Sequence, residues 1–256
     1  MKNLLYLNLL FISISLLVAC SKSNNKQPDQ HPPGVPTSPE TKPQYDNTSF
    51  GVYKGVIIGS SGIIIIKVNN GDNIIKAYLT IDNQRDTLST LQTLTPGQAI
   101  NNLSLTGRFS SLRLSANADG SNAQISNLVI TGHPLVTALI VHENSNRQVL
   151  LYEGVFSGEI SGRINFVKVG AEARTEPVEY IAKVSTDNYI MKGSAVAELD
   201  SGSRDHTHHI FDNGGYSRGF TGYMKFTLAN VTGPYNSYVH SELRSYRGTV
   251  ECKRTY

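Results

Sequence analysis

From Thr48 onward the sequence alternates between apolar and polar residues with a period of two, which is the pattern of a β-strand with one buried face. The alternation is plainest in Ile75–Ile81, and it recurs around Leu103 and Leu112. Ile63–Val68 is a mostly apolar run of strand length. Apolar residues at helical spacing are scarce, so the pattern predicts strands throughout the body of the chain.

Turn-forming residues separate the predicted strands at hairpin-like intervals. The turns are rich in Gly, Asn and Asp: Asn69–Asp72, Pro96–Gly97, Asp119–Gly120, Asn144–Asn146, Asp187–Asn188, Asp200–Gly202 and Asp212–Gly215. Short strands joined in this way, without helices to make crossovers, pair antiparallel. The sequence therefore predicts an all-β fold in which antiparallel hairpins close as barrels or stack as sandwiches.

An internal similarity divides this body into two parts. Tyr53–Gly59 matches Tyr152–Gly158 without a gap as Tyr-x-Gly-Val-x-x-Gly, at an offset of about 100 residues, the size of a small β-domain. We predict two related β-modules in tandem, residues 48–146 and 147–256. Tyr246–Val250 repeats the Tyr-x-Gly pattern and is predicted to be the closing strand of the second module. The alternative is that glycine-flanked hairpins resemble one another by composition alone.

The first twenty residues have the composition of a secretory signal. Lys2 supplies a positive charge, and the uncharged run Leu4–Ala19 is rich in Leu, Ile and Phe. The run leads into Leu17–Cys20, Leu-Val-Ala-Cys, which resembles the lipobox of bacterial lipoproteins. The resemblance implies a signal peptide over residues 1–19 and cleavage before Cys20, whose thiol carries lipid. The alternative is an uncleaved N-terminal helix.

Residues 20–47 have the composition of a tether. Six of the ten prolines lie here among Ser, Asn, Gln, Lys and Thr, with hardly any apolar residue. Such a segment buries too little surface to offset its loss of conformational entropy, so we expect a disordered, extended linker. The resemblance further implies that the lipid on Cys20 binds the protein to the membrane. Ser21, where many inner-membrane lipoproteins have Asp, favours the outer membrane, on either its periplasmic or its surface face.

The charge balance excludes one class of partner. A net charge of +3 is spread over 23 basic and 20 acidic residues, without a basic patch of the kind that binds nucleic acid. Glycine motifs that bind phosphates or dinucleotides are also missing, and we predict no cofactor. Avidin-like and lipocalin barrels have a similar architecture, but their sites use tryptophan and this chain has none.

The chain has two cysteines, and with Cys20 carrying lipid, Cys252 has no partner for a disulfide. Cys252 alternates with Val250 in an apolar register, which predicts a buried thiol that packs as a small hydrophobic side chain. A reactive thiol would need a lowered pKa, and only the neighbouring Lys253 and Arg254 argue for one.

The densest cluster of polar residues is Arg204–Asp212, which holds three of the seven histidines. On a strand, His206 and His208 would share one face, where two imidazoles could bind Zn, Cu or Ni together with Asp212. Further candidate ligands are Asp205 and His240. Neither a Cys pair nor a helical His-Glu-x-x-His motif accompanies them, so a solvated loop is the alternative interpretation.

Two further segments resemble functional motifs only in part. Gly215–Gly219 has the Gly-x-Ser-x-Gly pattern of a nucleophile elbow with Ser217 as the nucleophile, but that elbow requires a following helix and Phe220–Leu228 alternates like a strand. Asn117–Asn122 has the first oxygens of a calcium loop but lacks the Gly and Glu that complete one, so we predict a hairpin turn.

Six of the thirteen tyrosines lie in the last 41 residues: Tyr216, Tyr223, Tyr235, Tyr238, Tyr246 and Tyr256. They could form a rim that binds a sugar, a peptide or a partner protein, or they could simply be residues that favour strands.

Together these patterns favour a non-enzymatic lipoprotein, anchored in the outer membrane through Cys20, whose two β-modules bind an unidentified small molecule, glycan or protein. The alternative is a hydrolase or a metal-binding protein that uses His206, His208 and Ser217. A purely structural or adhesive surface protein is a third interpretation.

Overall fold

The computed structural model of the protein describes residues 35–170, 177–186, 190–198, 206–212, 218–239 and 244–256. For residues 195–198, 206–212, 218–221, 238–239 and 244 it describes the backbone only. The described part of the chain forms sixteen β-strands and one short 3-10 helix, Pro43–Tyr45. The all-β fold predicted from the two-residue period is therefore confirmed.

The first module is a single antiparallel sheet. Its strands are β1 (Gly51–Ile58), β2 (Gly62–Val68), β3 (Ile75–Ile81), β4 (Gln84–Ser89), β5 (Ile100–Thr106), β6 (Ser110–Ala116), β7 (Gln124–Ile130) and β8 (Thr137–Glu143). Their spatial order is β7-β6-β5-β4-β3-β2-β1-β8. The sheet curls until its two edge strands, β7 and β8, lie beside each other, but no ladder joins them. This module is a barrel that does not close.

The second module is a closed barrel. Its strands are β9 (Val149–Gly158), β10 (Gly162–Val169), β11 (Val178–Val184), β12 (Ile190–Glu198), β13 (His206–Asp212), β14 (Arg218–Phe226), β15 (Asn230–Val239) and β16 (Arg244–Arg254). They follow one another around the barrel, and β16 closes it by pairing with both β15 and β9. Tyr246–Val250 lies within β16, so its prediction as the closing strand is confirmed.

The two copies of the Tyr-x-Gly motif occupy equivalent strands. β1 and β9 are the first strands of their modules, and each pairs with the second strand on one side and the last strand on the other. Tyr53 and Tyr152 are both buried in the core of their module. A Cβ atom added at Gly55 would overlap a carbonyl oxygen of β8, and one at Gly154 a carbonyl oxygen of β16. The glycines therefore allow the last strand to approach the first.

Each module has its own apolar core. Aliphatic side chains dominate the core of the first module. Aromatic rings fill much of the second, where Phe166 packs edge-to-face on Phe226 and Phe156 on Tyr235. Edge-to-face pairs of this kind add about 0.5–1.5 kcal/mol each to the gain from burial.

A third apolar cluster joins the outer faces of the two modules. It contains Val52, Val56, Ile58 and Ile65 from the first module and Val149, Leu151, Val167 and Ile181 from the second. One face of β1 thus packs against the core of the first module and the other face packs against the second module, so all eight residues of β1 are buried. Full burial of such a side chain contributes about 1.5–3 kcal/mol, so this cluster is a substantial part of the association between the modules.

Residues 36–46, which we call the N-terminal arm, pack against both modules although they belong to the segment predicted as a disordered tether. Thr41 is buried, and its hydroxyl accepts a hydrogen bond of 3.0 Å from the backbone N–H of Val52. The carbonyl oxygen of Pro36 accepts one of 2.8 Å from the guanidinium of Arg254. Packing against the body of the protein thus begins at Pro36.

The predicted signal peptide, Cys20 and the predicted tether as far as residue 34 lie outside the described residues, and they stay predictions. Within the described residues, no helix has the length and apolar character needed to cross a membrane.

Candidate functional site

The edge strands of the first module leave a seam between them. In the second module the seventh and eighth strands, β15 and β16, pair along their whole length, from Asn230 opposite Lys253 to Val239 opposite Arg244. Within the described residues of the first module, the seventh strand, β7, pairs only with β6, and the eighth, β8, pairs only with β1. The ladder that joins the seventh and eighth strands of the second module therefore has no counterpart among the described strands of the first.

A β-bulge interrupts β7 beside this seam. The register between β6 and β7 shifts between Ser111, opposite Val129, and Arg113, opposite Ser126, so β7 has one extra residue there. Asn127 lies in this stretch with a φ of 50°, in the left-handed region. A bulge bends the strand that carries it and increases its twist.

A cavity of about 550 Å³ opens in the seam, between the start of β7, the second half of β8 and the outer face of β11. We call it the seam cavity. Four consecutive residues of β8 line it: Leu139, Ile140, Val141 and His142. Because successive side chains of a strand point to opposite faces, a cavity that meets four residues in a row lies along the edge of the strand. The cavity therefore borders the edge of β8 that faces away from β1.

The seam cavity is acidic. Asp46, Asp119 and Glu179 line it, and its described lining residues include no Lys or Arg. The carboxylate of Asp46 accepts two hydrogen bonds from Ser145, one of 2.6 Å from the backbone N–H and one of 2.7 Å from the side-chain hydroxyl. The hydroxyl and the backbone N–H of Ser121 lower the pKa of Asp119, which is therefore ionised at neutral pH. A concave site lined by charges of one sign attracts a ligand of the opposite sign.

Glu179 of β11 is the carboxyl group that the second module contributes. Burial raises the pKa of this carboxyl, and no hydrogen bond within the described residues offsets that effect. A carboxylate that has lost solvent without gaining a partner is stabilised by a cationic group at hydrogen-bonding distance.

His142 does not neutralise these carboxyl groups. Its Nε2 lies 2.8 Å from the carbonyl oxygen of Phe50, so Nε2 carries the hydrogen and Nδ1 is the acceptor nitrogen. Burial lowers the pKa of the imidazole, which outweighs the opposite effects of that hydrogen bond and of nearby carboxylates. The ring lies against Gly120, whose φ of 83° and lack of a Cβ both suit this close approach.

A buried ion pair holds the N-terminal arm beside the cavity. The ammonium of Lys54 lies 2.7 Å from Oε1 of Glu143 and 3.2 Å from Oε2 of Glu40. Glu143 also accepts hydrogen bonds from the backbone N–H groups of Glu40, at 2.7 Å, and Val149, at 2.9 Å. The hydroxyl of Tyr256 donates to Glu40 at 2.7 Å. The network thus connects the arm with β1, β8, β9 and the C-terminus.

Glu40 is ionised in this network. Burial alone would raise its pKa, but the hydrogen bond from Tyr256 and the positive charges of Lys54 and Lys67 outweigh burial, and the pKa is lowered. The arm is therefore held by charge as well as by hydrogen bonds.

A second cavity, of about 510 Å³, lies on the outer face of the second module. Burial raises the pKa of Glu153 there, although the hydroxyl of Ser61 donates to its carboxyl group at 3.2 Å. Arg163 and Lys253 line this cavity together with Glu251. Its acidic and basic groups are balanced, so it has no preference for a ligand of either charge.

No family model matches this chain. The search of curated proteins also finds no match. Among solved structures, a protein of unknown function from the DUF3598 family of Nostoc punctiforme is similar over 84% of this chain and 99% of that chain, with 9% sequence identity and a TM-score of 0.20. A similarity at this level assigns no function to this chain.

The predicted metal and serine sites fall largely outside the described residues. His206, His208 and Asp212 lie on β13, which pairs with β12 and β14, but only their backbone is described. Asp205, Ser217 and His240 are not described at all. Among the described residues, no group of three or more His, Cys, Asp or Glu side chains could hold a metal ion. The metal site stays an alternative interpretation that these residues do not test.

Three predictions about single segments are confirmed. The segment after Ser217 is a strand, β14, and not the helix that a nucleophile elbow requires. Asn117–Asn122 is a hairpin turn in which the N–H of Gly120 donates to the carbonyl of Asn117 at 3.0 Å. Cys252 is 3% exposed, and its thiol donates to the carbonyl of Ile164 at 3.4 Å.

The tyrosines of the last 41 residues do not form a single rim. Tyr235 is buried inside the second module, where its hydroxyl donates to the carbonyl of Ile160 at 2.7 Å. Tyr256 binds Glu40 of the N-terminal arm. Tyr223 is half exposed, and Tyr216 is not described. Two of the six thus have structural roles in the core and the arm.

Sequence patterns did not point to the seam cavity. Its carboxyl groups come from the N-terminal arm, from the turn after β6 and from β11, which are far apart in the chain. The one local feature that could have drawn attention is the end of β8, where His142 and Glu143 follow an apolar run and both are largely withdrawn from solvent.

Proposed function

We propose that this chain is an exported lipoprotein, anchored in the outer membrane through Cys20, and that its body binds a positively charged ligand in the seam cavity. The observation that carries the binding proposal is a cavity along the edge of β8 that pairs with no described strand, in a module whose tandem partner is closed at the equivalent strands. The membrane anchor is supported by the lipobox-like Leu17–Cys20 and the proline-rich segment after it.

The chemistry of the cavity supports recognition of a cation. Its volume lies in the range of about 300–1,000 Å³ that is usual for sites of small ligands. Asp46 and Asp119 are fixed by hydrogen bonds from Ser145 and Ser121, so their charges are in place before a ligand arrives. Preorganised charges of this kind favour binding because little ordering remains to be done.

Replacement of Cys20 tests the anchor. In cells that express Cys20→Ser, we expect unprocessed protein to accumulate and the mature protein to be missing from the membrane fraction. Cys252→Ser is the matched control, because it removes the other cysteine and should leave processing unchanged. A processed, membrane-bound Cys20→Ser protein would contradict the anchor.

Replacement of Ser21 tests the choice of membrane. The resemblance to lipoproteins implies that Ser21→Asp moves the protein from the outer to the inner membrane. Density-gradient separation of the two membranes measures the shift. An unshifted Ser21→Asp protein, or a wild-type protein already in the inner membrane, would contradict the assignment to the outer membrane.

Lysinamide, a small dication, tests the charge preference of the cavity. We expect it to raise the midpoint of thermal unfolding at millimolar concentration, and sodium citrate at the same ionic strength not to do so. Glu179→Gln should abolish the increase. Glu251→Gln, which removes an exposed carboxylate of the second module, should retain it. An equal response of all three proteins would show that the cavity is not the binding site.

A further inference from the structure

We propose that the ligand of the seam cavity is an extended peptide segment with a basic side chain, which adds as a strand to the free edge of β8. This inference rests on the binding function proposed above and names the class of its ligand.

The edge of β8 needs a partner that offers backbone groups. Leu139–His142 border the cavity with four successive residues, so the cavity runs along the edge of the strand, where alternate residues direct their N–H and C=O groups away from β1. In β16, the equivalent strand of the second module, the same edge is paired with β15. Backbone donors and acceptors in a cavity require partners, and a peptide in the extended conformation supplies both kinds at the correct spacing.

β8 is also a suitable template for an added strand. It pairs with β1 over Thr137–Glu143 without a register shift. Its sequence, Thr-Ala-Leu-Ile-Val-His-Glu, has no Lys or Pro to block an edge, and its one charged residue, Glu143, is bound to Lys54. β7, in contrast, is interrupted by the bulge at Asn127. The incoming segment therefore pairs with β8 and not with β7.

Length and charge specify the segment further. Four residues of an antiparallel strand span about 13 Å, so a segment of about four residues would fill the edge that the cavity exposes. Asp119 and Glu179 lie beside that edge, and no described Lys or Arg lines the cavity. A Lys or Arg side chain on the added strand would form charge-assisted hydrogen bonds with these carboxylates.

Other occupants fit less well. A small amine would satisfy the carboxylates but leave the edge of β8 unpaired. A second copy of the protein, paired edge to edge through β8, would bring Asp119 and Glu179 of both copies together, and like charges repel. Residues 21–27 of this chain include Lys22 and Lys26, but the rest are Ser, Asn and Gln, with no β-branched or aromatic side chain of the kind that favours strands.

Selection from a displayed library of random peptides identifies ligands of any sequence. The target is the purified protein, and the variants are used only to measure the affinities of the peptides that are enriched. We expect the enriched peptides to contain Lys or Arg next to β-branched or aromatic residues, to bind the Glu179→Gln protein about tenfold more weakly, and to bind the Glu251→Gln control as tightly as wild type. Enrichment of acidic peptides, or no enrichment, would overturn the proposal.

Backbone methylation then distinguishes strand addition from binding by side chains alone. Two versions of an enriched peptide carry N-methyl groups on alternate residues, in the two possible frames. Because only one edge of the added strand faces β8, we expect one frame to abolish binding and the other to retain it. Amide hydrogen exchange should slow in β8 on binding and stay unchanged in the β15–β16 ladder.

The outcomes separate the two proposals. Peptides that depend on Glu179 but tolerate both methylation frames would overturn strand addition and keep the cationic site of the cavity. Peptides that slow exchange elsewhere, with β8 unaffected, would overturn both. The protein could also self-associate in solution and dissociate when peptide is added. That result would identify a second copy as the natural occupant and overturn the proposal that the ligand is a peptide.

Discussion

The ammonium of Lys54 and the carboxylate of Glu143 lie 2.7 Å apart, and both side chains are 0% exposed to solvent. The pair joins the first and last strands of the first module and lies where that module meets the second. Removal of water from two charges is costly, and here their mutual attraction and the additional hydrogen bonds to Glu143 offset the cost.

Replacement of Lys54 should destabilise the protein strongly. Lys54→Met leaves the carboxylate of Glu143 buried without its cation, so we expect a loss of about 3–5 kcal/mol in the free energy of unfolding. Lys67→Met is the matched control, because Lys67 pairs with Glu40 at the partly exposed edge of the same network and should cost less than about 1 kcal/mol. Urea denaturation measures both. Equal losses in the two variants would contradict the importance of burial.

The fold class and the tandem arrangement were accessible from the sequence because they depend on local patterns. The period of two places side chains on alternate faces in any sheet. The repeated Tyr-x-Gly motif reports a close contact between the first and last strands at Gly55 and again at Gly154. Each of these patterns can be recognised within a single segment of the chain.

The seam and the contacts of the N-terminal arm could not be predicted from the sequence. Closure of the barrel depends on pairing between β7 and β8, and β7 has an extra residue near Asn127 that the alternation of apolar and polar residues did not predict. The arm has the composition of a linker because it contributes few apolar side chains to the contact. Glu40 and Thr41 are instead held by partners that other segments supply, among them Lys54 and Glu143. Such contacts appear only when the segments are assembled.

Asp86 should make stability depend on pH in the acid range. β4 and β5 share one residue pair, Ser89 opposite Thr106, and Asp86 spans the gap by accepting hydrogen bonds from the N–H groups of Arg108 and Phe109 and from the hydroxyl of Ser110. Burial alone would raise the pKa of this carboxyl, but these hydrogen bonds outweigh burial and lower it.

The sign of the effect follows from linkage. A carboxyl group whose pKa is lower in the folded state stabilises the protein fully above its ordinary value of 3.8, and this contribution disappears as the pH falls through the lower folded value. Asp86→Asn should cost about 1–3 kcal/mol at pH 7, because an amide cannot accept all of these hydrogen bonds. The difference from wild type should shrink at pH 3 in urea denaturation. Asp72→Asn, at an exposed turn, should show little change at either pH.

The thiol of Cys252 should be unreactive in the folded protein. Burial and the nearby charge of Glu153 raise its pKa, so the thiolate is scarce at pH 8, and the 3% exposure of the side chain prevents access. We expect no modification by iodoacetamide at pH 8 and complete modification in denaturant, as measured by mass spectrometry. Rapid modification of the native protein would show that β16 opens readily, and it would contradict a stably closed barrel.

The two glycines of the repeated motif should respond alike to substitution. A methyl group at Gly55 would overlap the carbonyl oxygen of Leu139, and one at Gly154 that of Glu251, so the last strand of either module must move away from the first. Overlap with backbone in a well-packed region costs up to about 3 kcal/mol, and we expect losses near that value for both Gly→Ala variants. Gly132→Ala is the control, because Gly132 has a φ of 83° but open space around it, and it should lose only about 1 kcal/mol from backbone strain. Equal losses in all three variants would mean that the close approach of the strands does not limit these positions, and the repeated glycine would then reflect composition alone.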